Sequence, residues 1–131
     1  MSMATFHLQI VTPDRMVYER VIVRTLRGDV CILARHIDYA APLGIGEARV
    51  TDAEGTTRVA VCSGGMIGVD GGEVRIMATT FEWADDIDLE RAQRAQKEAL
   101  ERLESLKRED RDFSIAEAKL KRALARIHAK E

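Results

Sequence analysis

Cysteine is scarce in this chain. Only Cys31 and Cys62 are present, too few for a disulfide framework, and both are expected to act as small buried hydrophobes of a reducing compartment. Long apolar runs are missing as well: none approaches the roughly 18 residues that a membrane span needs. No signal peptide is visible, because Met1-Ser2-Met3-Ala4-Thr5 leads straight into alternating residues. Neither charge sign dominates. A net charge of −2 argues against a nucleic-acid or polyanion partner. Catalytic patterns are absent too. His7, His36 and His128 fall in a strand, a loop and a terminal helix, and none has a second ligand at metal spacing. There is no nucleophile elbow and no H-E-x-x-H. A chain without such chemistry reads as an interaction protein, with no catalytic and no metal-ligating residues.

Glycine and proline are missing from one part only. All nine glycines and both prolines lie at or before Gly72. The 131 residues, 46% hydrophobic, suffice for one ordinary domain or a small domain with an appendage. The glycine-bearing part reads as strands. Phe6-His7-Leu8-Gln9-Ile10-Val11 alternates apolar and polar, and Thr12-Pro13-Asp14-Arg15 is a turn. Val17 to Leu26 is rich in β-branched residues, Arg27-Gly28-Asp29 breaks it, and Val30-Cys31-Ile32-Leu33 resumes it. Arg35 to Pro42 reads as a loop. Asp52-Ala53-Glu54-Gly55 and Asp70-Gly71-Gly72-Glu73 each connect a hairpin. Gly64-Gly65 reads as a bulge or a tight strand-to-strand turn, since it lacks the lysine and the helix start of a phosphate loop. Short strands at regular spacing indicate an antiparallel β-sandwich over residues 1–84.

From Asp85 onward the composition is that of helices. Leu89, Ala92, Gln96, Ala99, Leu103 and Leu106 form one stripe, with Glu90 to Arg94, Glu98 to Arg102 and Glu104 to Arg108 as i,i+4 pairs. Lys107 to Asp112 is expected to be a turn, and Ser114-Ile115-Ala116-Glu117 has the form of a capping box. Ala116, Leu120, Ala123, Leu124 and Ile127 then share a face of a basic helix. The fold class is therefore α+β: a sandwich followed by an antiparallel two-helix hairpin over residues 85–131. The hairpin's narrow, alanine-rich stripes would cost little to undock.

Several segments, in order, resemble the ε subunit of bacterial F-type ATP synthase. They are Phe6 to Arg15, Gly28-Asp29-Val30-Cys31-Ile32-Leu33-Ala34-Arg35-His36, Ser63-Gly64-Gly65, Ile76 to Thr80, and Ile87-Asp88-Leu89-Glu90-Arg91-Ala92. The last is similar to the motif that opens the family's first C-terminal helix. Cys31, Ala34 and Arg35 depart from the family's loop, where glycine, proline and glycine are usual. The resemblance implies a non-catalytic rotor subunit on the cytoplasmic face of the bacterial plasma membrane, not inserted into it. Its sandwich would bind the γ subunit and the c-ring, with Asp29 and His36 in the loop facing the ring. Its hairpin would inhibit ATP hydrolysis when extended into the α and β subunits, with Lys119, Lys121, Arg122 and Arg126 meeting an acidic segment of β.

The resemblance also implies ATP as a regulatory ligand, with no cofactor required. Ile87 and Asp88 would meet the base, Arg91, Arg122 and Arg126 the phosphates, and Ala92 belongs to the same set. The same residues have a purely structural reading, in which Asp88 caps a helix and Arg91 reaches a nearby carboxylate. Two other functions fit the residues: a free-standing nucleotide sensor, and an adaptor whose hairpin recruits partners.

Overall fold

A computed structural model describes residues 6–10 and 15–131 of the chain. Thr12, Pro13 and Asp14 of the expected first turn lie outside the described residues. Six strands come first: β1 (Phe6–Ile10), β2 (Arg15–Thr25), β3 (Gly28–Leu33), β4 (Tyr39–Asp52), β5 (Thr57–Asp70) and β6 (Glu73–Trp83). Their order is β1-β6-β5-β4-β2-β3, and β1 also pairs with β2, which closes the sheet on itself. Every pairing is antiparallel except the parallel one between β1 and β6. A short 3-10 turn (Ala84–Asp86) leads to α1 (Leu89–Ser105) and α2 (Arg111–Lys130).

The core is built by the sheet alone. Val21, Val23, Ile32, Ala41, Leu43, Ala48, Val50, Ala60, Cys62, Ile67, Val69, Val74 and Ile76 are buried in one cluster with Tyr18. Burial pushes the Cys62 thiol up to about 12, so it stays protonated and packs as a small hydrophobe. Cys31 is exposed instead, because β3 puts Ile32 inward and its neighbours outward.

The two expected breaks in the middle of the sheet are not breaks. Tyr39 to Pro42 pairs with Val69 to Met66 as the first part of β4, so the loop ends at Asp38. Gly64-Gly65 lies inside β5. Ser63↔Thr80 and Gly65↔Ala78 keep step across it, so no residue is inserted and there is no bulge. Its effect is on direction. Cys62 and Ile67 are five residues apart, which in a regular strand puts them on opposite faces, yet both are in the core. Gly64 and Gly65 take φ of 70° and 97°, and this local reversal of hand swaps the inward face. In β4, Leu43 and Ala48 make the same change across Gly44 and Gly46. The strands thus pass from one layer of the sandwich to the other without ending.

Arg35 has φ of 64°, the left-handed region where a Cβ costs about 1 kcal/mol. That is the position where the resembled family usually has glycine. Arg35→Gly is expected to raise stability by about 0.5 kcal/mol, relief of strain being partly offset by a freer unfolded chain. Urea unfolding followed by circular dichroism checks this.

The hairpin starts as expected at its first helix. The Asp88 carboxylate accepts a hydrogen bond from the Arg91 backbone N–H at 3.1 Å, a true N-cap. The second helix starts earlier than its capping box. Asp110 is the residue before α2, and its carboxylate accepts from Lys107 N–H at 2.9 Å. Arg111 and Asp112 are therefore already helical, and Ser114 lies within the first turn. The i,i+4 pairs are also replaced: Arg102 reaches Asp112 of α2 at 3.4 Å, and Arg108 lies beyond the end of α1.

Candidate functional site

The hairpin touches the sheet through α2, which packs on β4, β5 and the 3-10 turn. Alternation places Val61 and Ser63 on the outer face of β5, yet both are buried, because this is the face that α2 covers. Ala92, Ala99, Ala116 and Ala123 are the buried residues of the two helices. Alanine lets the helix axes approach closely but buries little area per residue. Two ionic contacts complete the docking. Arg126 Nε donates to Glu82 Oε1 of β6 at 2.7 Å. His128 Nδ1 donates to Glu47 Oε1 of β4 at 2.6 Å.

A cavity of about 430 Å³ opens where β6, the 3-10 turn, α1 and α2 meet. Glu82, Asp86, Ile87, Asp88, Arg91, Ala92, Ala95 and Arg126 line it. Five of the six residues proposed to meet a nucleotide are thus brought together: Ile87, Asp88, Arg91, Ala92 and Arg126. Arg122 lies in an adjoining groove of about 510 Å³ between α1 and α2, which shares Ala95 and Arg126 with the cavity. Ile87 is buried and forms an apolar wall.

Charge is distributed unevenly along this cleft. The cavity carries Glu82, Asp86 and Asp88 against two arginines. The groove carries Arg102, Lys119, Arg122 and Arg126 against Glu98 and Asp112. An acceptor-rich end therefore adjoins a donor-rich end, which suits a ligand with an amine-bearing base and an anionic tail. Arg91 and Arg122 have no carboxylate partner among the described residues, whereas Arg126 is committed to Glu82 through Nε and keeps its Nη groups free of ion pairs. The expectation that Arg91 reaches a carboxylate is therefore not met. Its backbone N–H serves the cap and its guanidinium is available.

The other expected residues are scattered. Asp29 is the second residue of β3 and pairs with Arg24 of β2 at 2.8 Å. His36 follows the far end of β3, donates from Nδ1 to the Ile37 carbonyl at 2.8 Å and meets the Tyr39 ring edge-on. The structure brings the two into no contact. Asp38 anchors this loop by accepting from Gly71 N–H at 3.0 Å. Lys119 and Arg122 share the groove, while Lys121 is exposed on another side of α2. Among the described residues no group of His, Cys, Asp and Glu is arranged to hold a metal ion.

Sequence reasoning missed Glu82, Glu47 and Asp86. Glu82 lies 44 residues from Arg126, and Glu47 lies 81 from His128, so no local spacing announces either contact.

Comparison with known proteins covers nearly the whole length. The family described as ATP synthase, delta/epsilon chain, beta-sandwich domain matches residues 5–84. Its companion, the long alpha-helix domain, matches residues 85–131. The ATP synthase epsilon chain of Halalkalibacterium halodurans is 43% identical over 95% of this chain and 96% of its own. The sodium-ion-specific ATP synthase epsilon chain of Propionigenium modestum is 36% identical over 98% and 96%. Among solved structures, a chain of the Euglena gracilis mitochondrial ATP synthase has the same fold, with a TM-score of 0.85 at 23% identity. It covers 98% of this chain and 82% of that one.

Proposed function

The chain belongs to the delta/epsilon family of F-type ATP synthases, as an epsilon chain, and from that membership we propose a coupling and inhibitory role in the central stalk. The sandwich binds γ and the c-ring and transmits rotation, without making bonds itself. The assembly sits on the cytoplasmic face of the membrane; among the described residues no helix is long and apolar enough to cross one. An outward row across the sheet supports a partner surface. Met66 and Met77 are cross-strand neighbours, Pro42 pairs with Met66, and Leu26 N–H donates to the Pro42 carbonyl. Leu26, Met66 and Met77 are all exposed, a contiguous apolar strip of the kind that marks interfaces.

The hairpin is the inhibitory element. The observation that carries this reading is the thinness of its docking: alanine contacts, two ionic pairs, and no helix residue in the sheet's core cluster. Such an arm leaves the sheet without unfolding it. Once extended, Lys119, Lys121, Arg122 and Arg126 are free to meet an acidic surface on β.

ATP in the cleft would favour the docked arm, because the cavity exists only when α2 lies beside β6 and α1. The base would occupy the carboxylate-lined end by Ile87 and Asp88, and the phosphates would reach Arg91, Arg126 and Arg122. Isothermal calorimetry on the isolated chain tests this. Binding is expected for the wild type, with a loss of about tenfold or more for Arg91→Ala or Arg122→Ala, the worth of one charge-assisted pair. Absence of heat from the wild type at millimolar ATP would sink the ligand reading and leave the stalk role standing.

A further inference from the structure

The two ionic contacts that dock α2 differ in one chemical respect. Arg126 remains charged at every accessible pH, so it does not itself switch its contact with Glu82. His128 changes charge within the physiological range, and its pair with Glu47 is not constant. We propose that the His128–Glu47 contact is a pH-dependent latch, which holds the last turn of α2 on the sheet and loosens as pH rises.

Geometry supports a latch rather than an incidental surface pair. Glu47 is only 18% exposed, under the helix end. Its second oxygen, Oε2, accepts from Arg49 Nη2 at 3.3 Å, which leaves Oε1 turned to His128 Nδ1 at 2.6 Å. The contact sits at the end of α2, two residues past Arg126, and so closes the arm on the sheet beyond the first tether. β4 presents Glu47 and Arg49 to it. β6 presents Glu82, already engaged by Arg126. β5 supplies Arg58, which is stacked on the Trp83 ring at 3.8 Å. The 3-10 turn carries Asp85 and Asp86, the latter lining the cavity with Arg126. On its own helix, Lys130 and Glu131 follow.

The hydrogen bond and the charge of Glu47 raise the His128 imidazole above its ordinary value, with Glu131 adding to the rise and Arg49 opposing it. A group raised in the docked state favours docking fully below its undocked value, and that contribution is lost as pH climbs through the docked one. Acid therefore tightens the arm and alkali frees it. The consequence for ATP hydrolysis rests on the inhibitory reading above, but the latch itself does not.

The test uses the isolated full-length chain, so it is independent of inhibition. Backbone amides of Val61 and Ser63, beneath α2, are followed by NMR from pH about 5 to 8 alongside the His128 ring. The ring is expected to titrate above the ordinary value of about 6.5, and the two amides to share its midpoint. Each unit of separation corresponds to an about tenfold change in the docking equilibrium. Glu47→Gln should return the ring midpoint to the ordinary value. His128→Gln, which keeps a hydrogen-bonding side chain, should abolish the amide transition. An amide transition that persists in His128→Gln, or a wild-type ring that titrates at or below the ordinary value, would overturn the latch.

Discussion

Deletion of residues 85–131 is expected to raise ATP hydrolysis by the assembled synthase several-fold, while the shortened chain still co-purifies with γ. Both halves of the expectation come from where the core lies. Every buried residue of the main cluster belongs to the sheet, between Tyr18 and Ile76, with Phe81 and Trp83 packed against it. The helices add only Ala92, Ala99, Ala116 and Ala123 as buried residues, all of them small. Losing the hairpin uncovers Val61 and Ser63 on the outer face, a small apolar area beside the core that remains. The surface strip of Leu26, Met66 and Met77 is untouched. Hydrolysis assays before and after deletion, with co-purification as the control, separate the two roles. Unchanged hydrolysis would remove the inhibitory role and leave coupling standing. Loss of co-purification would show that the arm, not the sheet, holds the partner.

Gly65→Ala is expected to be the most damaging glycine-to-alanine substitution in the sheet, costing about 3 kcal/mol or more. Two effects add. The backbone has φ of 97° at this point, which an L side chain rarely adopts. A Cβ there would also sit 2.0 Å from the Met77 carbonyl oxygen and 2.7 Å from Ala78 Cα. Both obstacles are backbone atoms of β6, paired to β5 on the next residues, so neither moves without opening the ladder. Two other glycines separate the effects. Gly55 has φ of 86° and open space, so Gly55→Ala carries strain alone, about 1 kcal/mol. Gly68 has ordinary φ and open space, so its replacement by alanine should be within about 0.5 kcal/mol of neutral. Denaturant unfolding of the three variants should rank them in that order. A Gly65→Ala protein as stable as Gly55→Ala would mean that β6 yields at Met77, contrary to the pairing described.

The strands were legible where alternation is regular. Val21, Val23, Val74 and Ile76 face inward as their spacing requires. Alternation fails at Gly44 to Gly46 and at Gly64-Gly65, and there a reading by period alone divides one strand into two. A change of inward face resembles a turn in sequence, since both interrupt the period and both use glycine. The start of α2 was misplaced for a related reason. Ser114 and Glu117 satisfy a local capping pattern, but Asp110 closes the preceding turn on Lys107 and Arg102 reaches across to Asp112. The tertiary contact between the helices overrides the local preference.

Sequence by itself determined the class of fold, the division into a turn-rich and a helix-rich part, and the motif from Ile87 to Ala92. These depend on short-range order: alternation, the placing of glycine and proline, and the helical repeat. Only the tertiary structure decided that α2 rather than α1 carries the docking, that Arg91 and Arg122 are without carboxylate partners among the described residues, and that Glu82 and Glu47 hold Arg126 and His128. Those are relations between residues many tens of positions apart. Their charges are common on any surface, and only the folding of α2 onto the outer face of the sheet selects which of them meet.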